Sequence, residues 1–227
     1  MIDTAMPRGL VAVSRGGKIT ARAYLQESRS HGEKLAQAIE TTLLDANLKP
    51  QELQGIVVGV GPGSFVGVRV GLSTAKGFAL ALKIPLWGVS TLSALAGAVT
   101  VQEQPRVLAL IDARRGQGYA QSFVQYTSGF AELGPGKACD PHELEEMVPL
   151  HDIVVGNGAF LLAEPPRSHQ EMQGVTGDGM LVAFQARCAQ HVPPNELLAL
   201  VPLYIRPPDA KKPAVRPDYS VNPSTSK

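Results

Sequence analysis

From Gly9 to Leu25 the residues fall into two interleaved sets on either side of a turn. Leu10, Ala12 and Ser14 interleave with Val11, Val13 and Arg15, and the alternation resumes in KITARAYL after Gly16-Gly17. A period of two on either side of a two-glycine turn predicts a β-hairpin. The period then lengthens. Leu35, Ile39 and Leu43 recur at helical spacing, with Ala36 and Leu44 widening the stripe, so 31–47 reads as an amphipathic helix. Ser30 with Glu33 three residues later fits a capping box at its start. GIVVGV is a short unbroken apolar run and predicts a buried strand. Gly61-Pro62-Gly63-Ser64 makes a turn, and 66–82 returns to helical spacing, with Leu72, Ala75, Ala79 and Leu82 in one stripe and Val68, Gly71 and Phe78 beside it. IPLWGV predicts a further strand, and Ser90 or Thr91 caps a short helix through Ala98.

The pattern starts again near Arg106. RVLALID and YAQSFVQY form a second hairpin around Arg114-Arg115-Gly116. DPHELEEMV reads as a short capped helix, DIVVGNGA as a strand running into a glycine turn, and the residues from Asp178 as a closing helix. Each half opens with a hairpin and later carries a strand that enters a glycine turn. This predicts two lobes, 1–102 and 103–205, followed by a Pro-rich, basic tail over 206–227 whose end is expected to be disordered.

Composition narrows the function classes. With 44% hydrophobic and 18% charged residues and a formal net charge of +1, the chain has material for a core and no broad basic field for nucleic acid. MIDTAMPRGL lacks the basic start and apolar run of a signal peptide, and IPLWGVSTLSALAGAV is too short and too polar to cross a bilayer. Cys139 and Cys188 stand far apart and read as two reduced thiols, which with the rest predicts a cytoplasmic protein that does not enter the membrane. His31, His142, His151, His169 and His191 form neither HxxxH nor HExxH, so no metal site is expected.

The glycine turn is the main candidate for chemistry. Gly59, Gly61, Gly63 and Gly67 do not fit GxGxxG, no GxxxxGK[ST] is present, and Pro62 and Val66 stand where a GxSxG nucleophile turn around Ser64 needs glycine. What remains is a strand, a tight turn and a helix N-terminus, an arrangement that suits an anion or simply lets the helix pack closely on the sheet. Asp3-Thr4 after a very short strand could hold Mg²⁺–phosphate or serve as a turn. Asp112 with Arg114 and Arg115 reads as a surface ion-pair cluster. The 66–82 helix carries little charge beyond Arg69 and Lys76, so it is buried on two sides or one face meets a partner.

The stretch GVGPGSFVGVRVGLSTAKGFALALKIPLWGVSTLSALA resembles the signature of the bacterial TsaB (YeaZ) family, in which Gly-Pro-Gly-Ser-Phe-Thr-Gly-Leu-Arg-Ile-Gly is typical. Gly61, Pro62, Gly63, Ser64, Phe65, Gly67, Arg69 and Gly71 match, and Val66, Val68 and Val70 replace Thr, Leu and Ile. IDTA, IDARRGQGYA, VVGNGA and PLYIRPPDAKKP are similar to further landmarks, so the resemblance runs from Ile2 to about Pro213. Only Met1 and Ile2 precede Asp3 where the family has several apolar residues. Either translation starts upstream or the sheet is weaker there.

The resemblance implies the actin-like ATPase fold, an α/β architecture of two similar lobes with mixed five-stranded sheets. It also implies work with the paralogue TsaD and the ATPase TsaE, which transfer a threonylcarbamoyl group from its adenylate to the adenosine beside the anticodon of ANN-decoding tRNAs. TsaD holds its metal through histidines on the helix that corresponds to HGEKLAQAI. Here His31 is followed four residues later by Leu35. A non-catalytic scaffold is therefore expected, with no catalytic residue, no metal and no cofactor of its own, ATP or ADP entering only within the complex. The phosphate-loop candidates are Asp3, Thr4, Gly61, Gly63, Ser64 and Gly67. The partner-face candidates are Leu35, Ala36, Ile39, Leu43, Leu72, Ala75, Phe78, Ala79 and Leu82, presented to TsaD or, in its absence, to a second copy in a homodimer. Contact with tRNA is expected through the complex. A glycoprotease-like peptidase and a sugar-kinase-like phosphotransferase are the competing expectations. The first needs a metal pair or an activated nucleophile, the second another phosphate loop and a catalytic aspartate, for which Asp3 and Asp112 are the candidates.

Overall fold

The structure is a computed structural model and describes residues 1–26, 31–100, 104–126, 129–164, 166, 168–189 and 199–206, with backbone alone at 31–33 and 189. The Ser30–Glu33 capping box, the placement of the His31 side chain, His191 and the tail beyond Arg206 lie outside the described residues.

The first half runs β1 (Ile2–Asp3), β2 (Gly9–Arg15), β3 (Lys18–Leu25), α1 (His31–Asp45), β4 (Ile56–Gly59), α2 (Phe65–Leu82), β5 (Leu86–Val89) and α3 (Thr91–Ala96). The hairpin turns at Gly16 and Gly17, whose φ of 57° and 74° are the left-handed values a two-residue turn between twisted strands requires. The strands form one sheet in the order β3-β2-β1-β4-β5, with β2 antiparallel to its neighbours and β4 parallel to β1 and β5. The crossovers are α1 and α2. Left-handed Asn47 follows the end of α1, and left-handed Lys83 caps α2.

The second half repeats the plan with β6 (Arg106–Asp112), β7 (Gly118–Tyr126), β8 (Gly129–Glu132), β9 (Lys137–Cys139), α4 (Pro141–Met147), β10 (Ile153–Gly156), β11 (His169–Glu171) and α5 (Gly177–Ala189). Its sheet has six strands. In the order β11-β10-β6-β7-β8, the edge position beyond β7 is shared, β8 pairing with Phe123–Tyr126 and β9 with Gly118–Ala120. The expected five positions are present, the last filled by two short strands that sequence periodicity did not reveal. Asp140 and Glu143 cap α4 reciprocally. α5 begins at Gly177, one residue before the start the sequence suggested, beside Thr176, whose hydroxyl accepts from the Gly179 amide at 3.0 Å.

The halves share a core. α3 and α5 pack on each other, and α5 also lies on β2, β3 and β5 of the first sheet. Met6, Leu10, Val57, Leu92 and Leu95 join Val107, Ile111, Phe123, Val175 and Met180 in one buried cluster. Gly97 and Gly179 allow this approach, since a Cβ on either would stand 2.7 or 2.2 Å from a carbonyl of the facing helix. A second cluster, under α1 and α2, fills the outer side of the first sheet.

Candidate functional site

The glycine turn lies between β4 and α2. Ser64 caps the helix by accepting from the Gly67 amide at 3.2 Å. The glycines face the segment after β1. A Cβ on Gly63 would stand 2.3 Å from the Ala5 carbonyl oxygen, one on Gly67 2.0 Å from that of Thr4, and one on Gly71 2.5 Å from the Thr4 hydroxyl. The Thr4 hydroxyl donates to the Gly67 carbonyl at 2.6 Å, and the Ser64 amide donates to the Ala5 carbonyl at 2.7 Å. The sequence left two uses open for these glycines. The geometry shows close packing of the turn and the first turns of α2 on Thr4 and Ala5.

Asp3 is 1% exposed. Its carboxylate accepts from the Ala5 amide at 2.8 Å and from the Thr91 hydroxyl at 3.0 Å, and it lies so close to Gly59 that a Cβ there would overlap it. Burial pushes its carboxyl up to about 6, against the two hydrogen bonds. Asp3 and Thr4 are thus turned into the core, away from any Mg²⁺–phosphate. Asp3, Thr4, Gly61, Gly63, Ser64 and Gly67, the phosphate-loop candidates of the sequence, lie around this turn, with Asp3 and Thr4 buried and Ser64 exposed at the start of α2.

Asp112, the counterpart of Asp3 at the end of β6, is mostly buried, with 13% of its side chain exposed. It accepts from the Arg114 amide at 2.7 Å and pairs with the Arg114 guanidinium at 3.1 Å. Arg114 and Arg115 hold left-handed φ of 64° and 58° ahead of Gly116 at 72°. This is the surface ion pair the sequence suggested.

The partner-face candidates separate into two groups. Leu35, Ile39, Leu43, Leu72, Ala75 and Ala79 are buried in the core under α1 and α2, Phe78 packs on it partly buried, and Leu82 is half-buried. A stripe of larger apolar residues on a helix beside a sheet faces the sheet, and that stripe is what the periodicity found. The surface consists of other residues. On α2, Val66 is 66% and Leu80 68% exposed, with Ser73, Gly77 and Ala81 exposed near them; on α1, Leu44 is 68% exposed and Ala36 is exposed. A Cβ on Gly77 would meet nothing within 4 Å. By length and composition α2 could also cross a membrane, but its Gly67, Val68, Gly71, Leu72, Ala75 and Ala79 are buried.

A further element was missed in the sequence. Residues 199–206 form a strap across the glycine turn. Leu200 is buried against Gly88, and the Leu203 amide donates to the Val60 carbonyl at 2.7 Å. Tyr204 stacks on Phe65 at 5.4 Å, and Arg69 lies 3.7 Å over the Phe65 ring while its Nε donates to the Tyr204 hydroxyl at 2.8 Å. Arg206 reaches Gln117 of the second half at 2.9 Å. The available signal was PLYIR, an apolar and aromatic run just before the polar tail.

Two sheets of matching strand order, with one helix from each half between them, define a protein of the actin-like ATPase fold. Two solved structures from Pseudomonas aeruginosa are similar to it. One is YeaZ, with a TM-score of 0.77 and 25% identity over 89% of this chain and 97% of that one. The other is an uncharacterized protein with similarity to peptidase YEAZ, with a TM-score of 0.78 and 25% identity over 90% of this chain and 97% of that one. Residues 25–148 match the family model of TsaD, tRNA N6-adenosine threonylcarbamoyltransferase. The tRNA threonylcarbamoyladenosine biosynthesis protein TsaB of Bacillus subtilis is 31% identical over 211 residues, 88% of this chain and 84% of that one. An uncharacterized protein of Mycobacterium tuberculosis is 32% identical over 227 residues, 94% of each chain. The chain belongs to the TsaB (YeaZ) family.

Proposed function

We propose that this chain takes part in tRNA threonylcarbamoyladenosine biosynthesis as a non-catalytic scaffold that pairs with TsaD, works with TsaE, and forms a homodimer through the same face when TsaD is absent. The observation that carries this is the division of α2. Its inner face is locked onto Thr4 and Ala5 through glycines, while its outer face presents Val66, Gly77, Leu80 and Ala81 to solvent, and Leu44 of α1 is exposed as well. An apolar strip with small residues at its centre lets a partner helix approach closely and removes that strip from water.

Three features support a role without chemistry of its own. Leu35 holds the position four residues after His31 and is buried, so the helix offers a core leucine where TsaD uses a metal ligand. Asp3 and Thr4 are bonded within the chain. Carbamoyl transfer to an adenine nitrogen needs a metal or aligned donors at the developing oxyanion, and the glycines of the turn are used to bring α2 onto Thr4 and Ala5. Nucleotide, metal and tRNA then belong to the assembled complex, which works in the cytoplasm, and the chain's contribution is a coupling free energy between pairing and activity.

The experiment is a reconstitution with TsaD, TsaE, ATP, threonylcarbamoyl adenylate and an ANN-decoding tRNA. The chain should switch modification on, and Leu80→Glu should abolish that gain while its circular dichroism stays native. Modification by the isolated chain, or full modification by TsaD and TsaE without it, would sink the proposal.

A further inference from the structure

Arg69, one turn into α2, has an exposed guanidinium that is already held in place. Its Cζ lies 3.7 Å over the Phe65 ring, and its Nε donates to the Tyr204 hydroxyl at 2.8 Å. Among the described residues no carboxylate meets the rest of the fork. No Asp or Glu occurs from Leu53 to Gln102, a range that contains all of α2, and none occurs in the strap. A planar guanidinium fixed in advance loses little freedom when it takes a carboxylate on its remaining N–H groups. The surroundings are apolar: Val66 is 66% and Val201 64% exposed, with Leu203 exposed as well. Aliphatic and aromatic side chains around a guanidinium suit a carboxylate carried beside an apolar residue on a protein surface.

This chain carries such a pair. Glu40 and Leu44 lie four residues apart on one exposed face of α1, whereas Asp45 points about 100° round the helix from Leu44. Topology sets the pair at the other end of the helical layer from Arg69. α1 joins β3 to β4 and α2 joins β4 to β5; these strands all run the same way, so the two helices lie side by side in one direction. Glu40 and Leu44 occupy the C-terminal half of α1, at the end where α2 carries Leu80, and Arg69 stands at the N-terminal end.

A two-fold axis across the outer face of α2 decides which groups meet. Two copies of α2 laid parallel would set Arg69 against Arg69 with no acid on either helix between them. Laid antiparallel, they bring the N-terminal end of one layer onto the C-terminal end of the other. There α2 of the second copy offers only the cations Lys76 and Lys83, and the carboxylate has to come from α1.

We propose that in a homodimer through this face Arg69 receives Glu40 of the second copy, while Phe65, Val66 and Tyr204 receive its Leu44, twice over by symmetry. The inference rests on the homodimer reading above and adds the charge pair that fixes the direction of the two helices.

The test is sedimentation of the full chain without TsaD, for wild type, Arg69→Glu, Glu40→Arg and the double variant. Both positions are exposed, so circular dichroism should stay native, and Glu40→Arg leaves the strap contacts of Arg69 untouched. Each single variant sets like charges face to face at two symmetric points and should weaken the dimer by about tenfold or more. The double variant reverses the pair and should return to within about threefold of wild type. Tyr204→Phe keeps the ring but frees the Arg69 Nε, and should weaken the dimer about threefold. A dimer that Leu80→Glu dissolves but that ignores both charge reversals would overturn the inference and leave the α2 face standing. A double variant no tighter than the single ones would do the same. A wild-type chain that stays monomeric would remove the homodimer reading and this inference with it. Binding of a short single-stranded RNA by wild type and not by Arg69→Glu, with the dimer indifferent to both reversals, would give the guanidinium to phosphate and overturn the inference as well.

Discussion

The two halves use the same strand order around different outer layers. After β4 the chain makes a glycine turn and then an 18-residue helix, α2; after β10 it makes Gly156-Asn157-Gly158 and then a single turn, Ala159–Leu161. Both turns bring backbone close to the leading strand of their sheet: a Cβ on Gly156 would stand 2.1 Å from the Leu110 carbonyl, as one on Gly67 stands 2.0 Å from that of Thr4. The glycines are thus a packing device common to both lobes, and only the first lobe builds a long helix on it. The aspartates at the ends of β1 and β6 diverge in the same way. Asp3 is 1% exposed and bonded within the chain, while Asp112 keeps 13% of its side chain exposed and pairs with the exposed Arg114. The first half has exchanged an open strand end for a covered one and acquired an outer helical face.

The largest effect that tests this comparison is expected from overfilling the covered turn. Gly67→Val puts side-chain atoms where the Thr4 carbonyl already lies, and backbone cannot yield as a flexible side chain does. We expect a loss of about 4 kcal/mol or more, seen in urea unfolding as a collapse of the midpoint. Near-wild-type stability would show that the helix can lift off the turn, and the contrast between the halves would weaken.

Next come two leucines. Leu43 is 6% exposed and belongs to the core, so Leu43→Glu buries a charge with no partner and should cost about 3 kcal/mol or more. Leu80→Glu should change stability by less than about 0.5 kcal/mol, yet remove pairing with TsaD in size-exclusion chromatography. Equal thermal stability of the two variants would place α1 away from the sheet.

Asp3 and Asp112 give a pH-dependent contrast. Burial raises the Asp3 carboxyl from its ordinary 3.8 to about 6, so its contribution to stability is fully present below 3.8 and is lost as pH rises through 6. Asp3→Asn keeps an acceptor for the Ala5 amide and removes the charge. It should stabilise the chain at pH 7 by up to ~3 kcal/mol, and the gain should vanish near pH 4. Asp112→Asn loosens a surface pair with Arg114 and should stay within about 1 kcal/mol across that range. Melting curves at several pH values measure both, and an Asp3→Asn chain less stable at pH 7 than wild type would mean that the carboxylate has a cation to hold.

Much of this was legible in the chain. Strand-like runs on either side of a turn in 9–25 and 106–126, and helical spacing in 31–47 and 66–82, are strong local signals. β8, β9 and β11 were not legible, since strands of three or four residues are too short to show a period. The partner face was misplaced for a related reason. Periodicity identifies where apolar residues cluster, and on a helix beside a sheet that is the inside. The informative residues were Val66, Leu80 and Leu44, large apolar positions off the main stripe. The role of Gly67 could not be read locally, because the atom that demands glycine is the carbonyl of Thr4, 63 residues away.

The smallest expected change separates stability from pairing. Gly77 sits in the middle of α2 with nothing within 4 Å of its would-be Cβ, in contrast to Gly67 and Gly71 on the opposite face of the same helix. Glycine inside a helix is costly because its backbone loses the most freedom on folding, so Gly77→Ala should stabilise the chain by about 0.5–1 kcal/mol, a rise in Tm of about 2 °C. A residue kept small for packing within the chain would show the reverse. If the outer face of α2 receives a partner helix, the same methyl intrudes on the approach, and the affinity for TsaD falls while the free chain becomes more stable. Gly77→Leu should carry this further, leaving the fold intact and pairing absent. A variant that gains stability and keeps full affinity would move the partner off the centre of α2, toward Val66 and the strap at one end or toward Leu44 on α1.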